Sequence, residues 1–206
     1  MARKMNTRPL RDKFYIITNG KETEYNYFTL LKQKKSVYEV LVEFQNEDPL
    51  GLVEYACRYK GEANQIWVVF DIDYSYQDGR LIPAINKADK ENIKYAFSNI
   101  AFEVWLLSHF EQCSKQMSTA QHQQALSAYL GQLKQDTIYD KTSKDQLKEF
   151  FIPRYTSAIE NAKIVYQKKL ANHIEKCGEN SKPPIWEWNS STNVYKLVEA
   201  LKLTTK

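Results

Sequence analysis

The amino-acid sequence predicts an α/β fold, a mainly parallel sheet flanked by helices and followed by a helical C-terminal part. Up to about residue 100, short apolar and β-branched runs alternate with segments of helical period, a pattern typical of βαβ units. Beyond residue 98, apolar residues recur mainly at helical spacing. With 206 residues, 43% hydrophobic and 13% aromatic, the chain is large and apolar enough to form a packed domain.

Four strands are predicted in the first half, at residues 14–18, 37–44, 65–72 and 93–97. The helices between them are expected at about 22–33, after Asp48 as N-cap with Pro49 at the first position, and at 83–91. Ligands of open α/β sheets bind beyond the carboxyl ends of the strands. Polar residues that follow these strands should therefore meet at one edge of the sheet.

The second half is predicted to be helical at residues 101–110, 118–134 and 154–176, with a last helix from about Ser191. The polar, lysine-rich stretch 135–150 is interpreted as a loop. We predict a basic N-terminal arm at residues 1–13 and a single domain at 14–206. That domain has an α/β core at about 14–112 and a helical part at about 113–206.

Composition narrows the classes of site. The three cysteines are far apart and the three histidines form no metal-binding pattern, so zinc sites and disulfide frameworks are not indicated. Any metal would be held by oxygen atoms, which favours Mg²⁺ or Mn²⁺. No apolar run approaches the ~18 residues of a membrane span and no signal peptide is present, so we expect a cytoplasmic protein. The net charge of +4 is carried by the leading arm, which either contacts phosphates or is a solvated terminus.

Asp71 and Asp73 follow the apolar run of the third predicted strand. If the strand continues through Asp73, both carboxylates point to one face, about 6–7 Å apart at Cβ. Two such anions repel by about 2–3 kcal/mol at an effective dielectric of ~20. A divalent cation would offset that repulsion; the alternative is an aspartate-rich turn at the end of the strand.

The first predicted strand ends in a second polar cluster, Asn19-Gly20-Lys21-Glu22-Thr23-Glu24. Gly20 permits a tight turn. Carboxylates are favourable in a first helical turn through the helix dipole alone. The alternative is that Glu24 reaches a cation shared with Asp71 and Asp73.

Glu103 lies among apolar residues in the segment SNIAFEVWLLSHF, which follows the fourth predicted strand. An unpartnered buried carboxylate is costly. Glu103 either caps its helix together with Ser98 or Asn99, or serves as a further ligand or base at the edge of the sheet.

The order of these segments resembles the RloB family, from KFYIITNGKETEYNYF through VVFDID and SNIAFEVWLLSHF to WNSSTNVYKLVEAL. The third and last segments are the most specific to that family, whereas the D-x-D is shared across Toprim domains. The family's closing N-P-S-T-x-V appears here as residues 189–194. RloB-like proteins are related to Toprim-type nucleases and to the overcoming-lysogenization-defect nucleases.

The resemblance implies a Toprim-like fold with a carboxylate cluster that binds Mg²⁺ or Mn²⁺. Glu24, Asp71, Asp73 and Glu103 match the acidic positions of the family. The usual pattern has glutamate after the first strand, but this chain has Asn19, which can ligate a metal through its carbonyl oxygen and cannot act as a base.

Two functions follow as expectations. The first is a metal-dependent nuclease that acts on DNA or RNA as the effector of a prokaryotic anti-phage defence system. In it, Glu24, Asp71, Asp73 and Asn19 would hold the metal, and Lys21 would stabilise charge on the phosphate; the alternative for Lys21 is a solvated turn lysine. The second function is a weakly active or inactive binding or regulatory subunit that works with an ATPase partner. Either protein could form a homo-oligomer.

Overall fold

The structure is a computed structural model that describes residues 11–203 with the exception of Tyr74. Residues 1–10, which make up most of the predicted basic arm, lie outside the described residues. Lys13, the last residue of that predicted arm, begins the first strand.

The described chain contains five strands and a series of helices. The strands are β1 (Lys13–Thr18), β2 (Glu39–Phe44), β3 (Gln65–Asp71), β4 (Lys94–Asn99) and β5 (Ser191–Thr192). The helices are α1 (Thr23–Leu31), α2 (Pro49–Ala56), α3 (Leu81–Glu91), α4 (Glu103–Leu107), α5 (Thr119–Leu133), α6 (Lys144–Gln146), α7 (Tyr155–Cys177) and α8 (Val194–Ala200). Helix α6 continues as a π-helical turn (Leu147–Phe151) and a 3₁₀ turn (Ile152–Arg154), and two further 3₁₀ turns span Cys57–Tyr59 and Ile185–Glu187.

The strands form one sheet in the order β2-β1-β3-β4-β5. Strands β1 to β4 are parallel and β5 is antiparallel to β4. The prediction of a mainly parallel, helix-flanked sheet is therefore confirmed. From β1 the chain first moves to β2 on one side and then returns to β3 on the other. The carboxyl ends of β1 and β3 thus flank a topological switch point, the position where α/β sheets bind ligands.

Both faces of the sheet are covered. Every residue from Phe14 to Thr18 and from Ile66 to Phe70 is buried, as expected for central parallel strands with helices on each side. Asp48 caps α2 as predicted, because its carboxylate accepts a hydrogen bond from Gly51 N at 2.9 Å. No helix in the described part of the chain is long and apolar enough to cross a membrane.

The structure differs from the predictions in the second half. The stretch 135–150 becomes helical at Lys144, because the Ser143 hydroxyl accepts a hydrogen bond from Gln146 N and three following apolar residues are buried. The last helix begins at Val194 rather than near Ser191, since Ser191 and Thr192 pair with β4. A two-residue strand has no period that a sequence could reveal, and its conformation depends on the strand beside it.

The segment Asn189–Asn193 joins the C-terminal part to the sheet. Ser190 Oγ accepts from His122 Nε2 of α5 at 2.8 Å, and its hydroxyl donates either to Lys115 O or to Asn189 Oδ1, both at 2.8 Å. Burial lowers the pKa of His122 to about 4, so this histidine is neutral. These hydrogen bonds therefore attach the Asn189–Asn193 segment to helix α5 and to the residues that precede it.

Asn193 completes the edge of β4 where β5 stops. Its side-chain Oδ1 accepts from Phe97 N at 2.6 Å and its Nδ2 donates to Tyr95 O at 3.2 Å. A single amide side chain thus substitutes for a strand residue and satisfies two main-chain groups that would otherwise be left unpaired.

We predict that Asn193→Ala destabilises the protein by about 2 kcal/mol or more, because it removes two hydrogen bonds and leaves a buried N–H without its partner. Urea unfolding followed by circular dichroism measures the change. The matched control is Asn172→Ala, an exposed position on α7, which should be close to neutral. Equal unfolding midpoints for the two variants would contradict this role of Asn193.

Candidate functional site at the carboxyl edge of the sheet

Three carboxylates from three different β–α connections lie at the switch point. Asp71 is the last residue of β3, Glu24 is in the first turn of α1 after β1, and Glu103 is the first residue of α4 after β4. The negative charges of Glu24 and Glu103 both act on the Asp71 carboxyl group. The fold therefore brings together acidic residues that are far apart in the sequence.

Glu24 occupies space that only a glycine at position 20 leaves open. A Cβ atom added to Gly20 would overlap the Glu24 carboxylate. Glu24 itself is 7% exposed. The turn between β1 and α1 thus keeps the carboxylate folded back against the main chain of Gly20. This contact explains the glycine at a position whose φ is unremarkable.

Glu103 is held by side chains from the helical part. Gln123 Nε2 of α5 donates to Glu103 Oε1 at 3.2 Å, and the Tyr139 hydroxyl donates to the same oxygen at 3.5 Å. These partners lie 20 and 36 residues from Glu103. No local pattern in the sequence links them to it, so neither was predicted.

The capping alternative for Glu103 is not what the structure shows. Ser98 Oγ pairs with Thr192 Oγ1 at 3.1 Å, and Asn99 Nδ2 donates to the carbonyls of Ile185 and Trp186. Helix α4 has no side-chain capping bond. Ser98 and Asn99 are therefore used to attach the C-terminal segment to β4, and Glu103 has its partners elsewhere.

The electrostatics of the site are unfavourable for three anions. Burial raises the pKa of Glu24 to about 7, and the nearby Glu103 carboxylate adds to this effect. Burial, followed by the charges of Glu24 and Glu103, also raises the pKa of Asp71 well above its ordinary value. Among the described residues, no lysine, arginine or histidine forms an ion pair with any of the three carboxylates. Like charges at one buried position need a proton or a cation to offset their repulsion.

The positive charge of Lys141 acts weakly on the carboxylate cluster. Its charge lowers the pKa of Glu24, a small effect beside that of burial. The Lys141 carbonyl accepts a hydrogen bond from Thr23 Oγ1 at 3.0 Å, which ties the 135–143 loop to the start of α1. The lysine is exposed, and no sequence pattern distinguishes it from the other lysines of that stretch.

The remaining predicted site residues lie around this cluster. Strand β3 ends at Asp71 rather than continuing, and Asp73 is exposed in a bend where its Oδ1 accepts from Ser75 N at 3.2 Å. The Asp73 charge still contributes to the raised pKa of Asp71. Asn19 is half-buried and its main-chain N–H donates to Val69 O at 3.3 Å. Lys21 is exposed.

His109, the histidine of the SNIAFEVWLLSHF segment, is part of the core. Its Nδ1 lies 3.0 Å from Trp105 O and must carry the proton, because a carbonyl only accepts. Nε2 therefore accepts from the Tyr27 hydroxyl at 3.0 Å. Burial lowers the pKa of His109 to about 3, so the ring is neutral. This histidine connects α4 to α1 through the core.

The donor atoms suit a hard divalent cation, since all of them are oxygens. Among residues 11–73 and 75–203, however, no group of three or more His, Cys, Asp or Glu side chains is arranged so that it could hold a metal ion. The three carboxylates are neighbours that interact electrostatically, and they do not form a coordination shell in this arrangement.

The family of the chain is identified by comparison with known protein families. A search of curated proteins and a search of solved structures each returned no match. The family model described as RloB-like protein matches residues 14–201. This match covers nearly the whole chain, including the carboxylate cluster and the closing Asn189–Asn193 segment. The chain therefore belongs to the RloB-like protein family.

Proposed function

We propose that the protein is a divalent-metal-dependent phosphodiesterase that hydrolyses a nucleic-acid backbone at the carboxyl edge of its sheet. One observation carries the proposal. Glu24, Asp71 and Glu103 converge on the switch point, two of them with raised pKa values, and no basic side chain of the described residues pairs with them. A cation bound at this edge would offset the repulsion among the three carboxylates, which explains why such an unfavourable arrangement is present.

Glu24 and Asp71 would be the principal metal ligands, with Glu103, Asp73 and the Asn19 carbonyl oxygen as further oxygen donors. A bound Mg²⁺ or Mn²⁺ would polarise the scissile phosphate and favour formation of a hydroxide nucleophile. Because the carboxylates repel one another, binding should draw them together through rotation of the glutamate side chains. Gln123 and Tyr139 would position Glu103 during that rearrangement.

The chain offers two cations for the phosphate. Lys21 lies in the turn between β1 and α1, and Lys141 approaches Glu24 from the 135–143 loop. Both are exposed, so a substrate could reach them. We propose that they bind the substrate backbone beside the carboxylates.

The resemblance to RloB-like proteins supplies the proposed biological setting. It implies a Toprim-like nuclease that acts as an effector of anti-phage defence, together with an ATPase partner. The sequence adds the expectation of a cytoplasmic protein. The parallel sheet and its acidic edge support this proposal.

A second candidate function is that of a binding or regulatory subunit with little activity of its own. Two observations favour it. Asn19 stands where the family pattern has glutamate, and no ready-made metal-binding group is present among the described residues. In that case the edge of the sheet would bind nucleic acid or a partner without cleaving it.

Metal-dependent cleavage is the first testable property of this site. The purified chain should cleave DNA or RNA in the presence of Mn²⁺ or Mg²⁺, and Asp71→Asn should lower the rate at least about a hundredfold, because it removes a ligand charge next to the scissile bond. Asp73→Asn should have a smaller effect, since Asp73 is exposed and engaged in a turn. Gel assays with labelled single- and double-stranded substrates measure the rates.

The matched control is Asp145→Asn, an exposed aspartate in the first turn of α6. It should leave cleavage unchanged. If the wild-type protein cleaves nothing with either metal and calorimetry detects no metal binding, the second candidate function replaces the first.

The stability of the metal-free protein should depend on pH through Glu24. The pKa of Glu24 is about 7 in the folded protein against 4.5 ordinarily, so the folded state binds the proton more tightly than the unfolded chain. This contribution to stability, on the order of 3 kcal/mol, is complete below the unfolded pKa and is lost as the pH rises through the folded one. Metal-free protein should thus lose stability over this interval.

The Glu24→Gln variant should not show this loss of stability as the pH rises. His109 and His122 act in the opposite sense, since their lowered pKa values, about 3 and about 4, reduce stability as the pH falls. The difference between wild type and variant cancels the contribution of the histidines, because both proteins contain them, and reports Glu24 together with its effect on Asp71. Urea unfolding in EDTA at about pH 5 and about pH 8 supplies the measurement, and a difference that stays constant between the two conditions would contradict the prediction.

The contact between Gly20 and Glu24 should matter for metal binding. Gly20→Ala should displace the Glu24 carboxylate and weaken Mn²⁺ binding at least about tenfold. The unfolding free energy should change by less than about 1 kcal/mol, since the displaced group is the end of a flexible side chain. Gly131→Ala is the matched control, because a Cβ there meets its nearest atom at 3.7 Å. Calorimetric titration that gives equal affinities for both variants would rule out the contact as a determinant of binding.

A further inference from the structure

A cavity of about 600 Å³ lies beside β4, between α3 and the C-terminal elements. Its lining includes none of Glu24, Asp71 and Glu103, so it is separate from the carboxylate cluster. Ligand pockets for small molecules have volumes in this range, roughly 300–1,000 Å³. The cavity is thus large enough for one nucleotide.

The walls are mainly apolar and aromatic. Phe97 of β4, Ile85 of α3 and Ile185 form part of the apolar lining, and Tyr166 of α7 and Trp186 add aromatic rings. A flat aromatic ring from a ligand can therefore be buried here against side chains that the fold already holds in place.

Trp186 is held in position at the carboxyl edge of the sheet. Its carbonyl accepts from Asn99 Nδ2 at 3.0 Å, and Asn99 is the last residue of β4. Its indole ring stacks on Tyr76, with the centroids 4.7 Å apart and the planes at 9°. Tyr76 belongs to the loop that follows Asp71 on β3. The tryptophan therefore links the cavity to the edge that carries the carboxylates.

Positive charge is in excess around the cavity. Three lysines line it, Lys94, Lys182 and Lys196, against a single carboxylate, Asp89. Lys182 Nζ lies 3.6 Å from Asp89 Oδ2, so these two charges form an ion pair. Lys196 forms no ion pair with any described residue, and its Nζ lies 4.5 Å from the centre of the Tyr166 ring. Burial lowers the pKa of Lys196. Lys196 is nevertheless exposed, so an anion can reach its ammonium group.

We propose that this cavity binds a nucleotide, with the base against Trp186 and the apolar wall and the phosphate on Lys196. Aromatic stacking combined with a positively charged groove is how proteins bind unpaired nucleotides without reading their sequence. The inference rests on the proposed function for its source, an unpaired nucleotide of the strand that is cleaved at the adjacent edge. A free nucleotide has the same base and phosphate chemistry, and the experiment distinguishes the two.

The test measures binding in EDTA, where no metal-dependent cleavage occurs. Fluorescence anisotropy gives the dissociation constants of a labelled single strand of about ten nucleotides and of its duplex, and AMP is titrated separately by the quenching of tryptophan fluorescence. We expect the single strand to bind more tightly than the duplex. Lys196→Gln and Trp186→Leu should each raise its dissociation constant about tenfold, through loss of a charged contact and of a stacking surface.

Lys34→Gln is the matched control, because Lys34 also lies over an aromatic ring, that of Tyr155 at 5.3 Å, and lies outside the cavity. It should bind as wild type does. Circular dichroism verifies that each variant is folded. Binding of AMP alone, sensitive to Lys196→Gln, supports the cavity and assigns it to a free nucleotide. Absence of binding to every probe, or equal affinities for Lys196→Gln and Lys34→Gln, overturns the inference.

Binding in EDTA separates this inference from the proposed function, because it measures the cavity in the absence of metal-dependent cleavage. If the chain proves inactive as a nuclease while Lys196→Gln still weakens binding, the cavity assignment stands and the catalytic proposal fails.

Discussion

Glu24, Asp71 and Glu103 repel one another at the carboxyl edge of the sheet, and residues from both halves of this protein contact them. The three carboxylates lie at or after the ends of β1, β3 and β4, so their proximity requires these three strands to be neighbours in the sheet. The chain accommodates them with a glycine beneath Glu24, hydrogen bonds on one oxygen of Glu103, and raised pKa values for Glu24 and Asp71. A fold selected for stability alone would replace such a group with apolar residues, because unpaired buried charges are costly. Its presence supports the interpretation of this edge as a functional site.

The C-terminal part is integral to this site. Strand β5 and the Asn193 side chain complete the edge of β4, and His122 and Ser190 attach α5 to the same segment. Helix α5 in turn provides Gln123, which bonds to Glu103. Residues of the helical part therefore decide how a carboxylate from the α/β core is oriented. The Asn189–Asn193 segment therefore connects the helical C-terminal part to the α/β core.

The carboxylate cluster and the cavity beside β4 both involve this strand, because Lys94, Tyr95 and Phe97 line the cavity and Glu103 follows the carboxyl end of the strand. Asn99 anchors Trp186 there, and the next helix begins with Glu103. Aromatic residues and lysines line the cavity, whereas the acids lie at the switch point. An extended polyanion that crosses this strand end would meet stacking surfaces and positive charge before it reaches the carboxylates. The modest net charge of the chain, +4, is compatible with this arrangement because local charge, rather than the total, governs such a contact.

Local signals in the sequence were sufficient for the fold class, the four parallel strands and the Asp48 cap of α2, whereas Glu24, Asp71 and Glu103 were candidate site residues with structural alternatives left open. Apolar periodicity, capping chemistry and the carboxyl-end rule each depend on residues that are close together in the chain or on the general form of α/β sheets. The folded chain was needed to learn that β3 ends before Asp73, that Gln123 and Tyr139 bond to Glu103, and that residues 191–192 form a strand. Those features arise from contacts between residues far apart in the chain, for which no spacing in the sequence carries a signal.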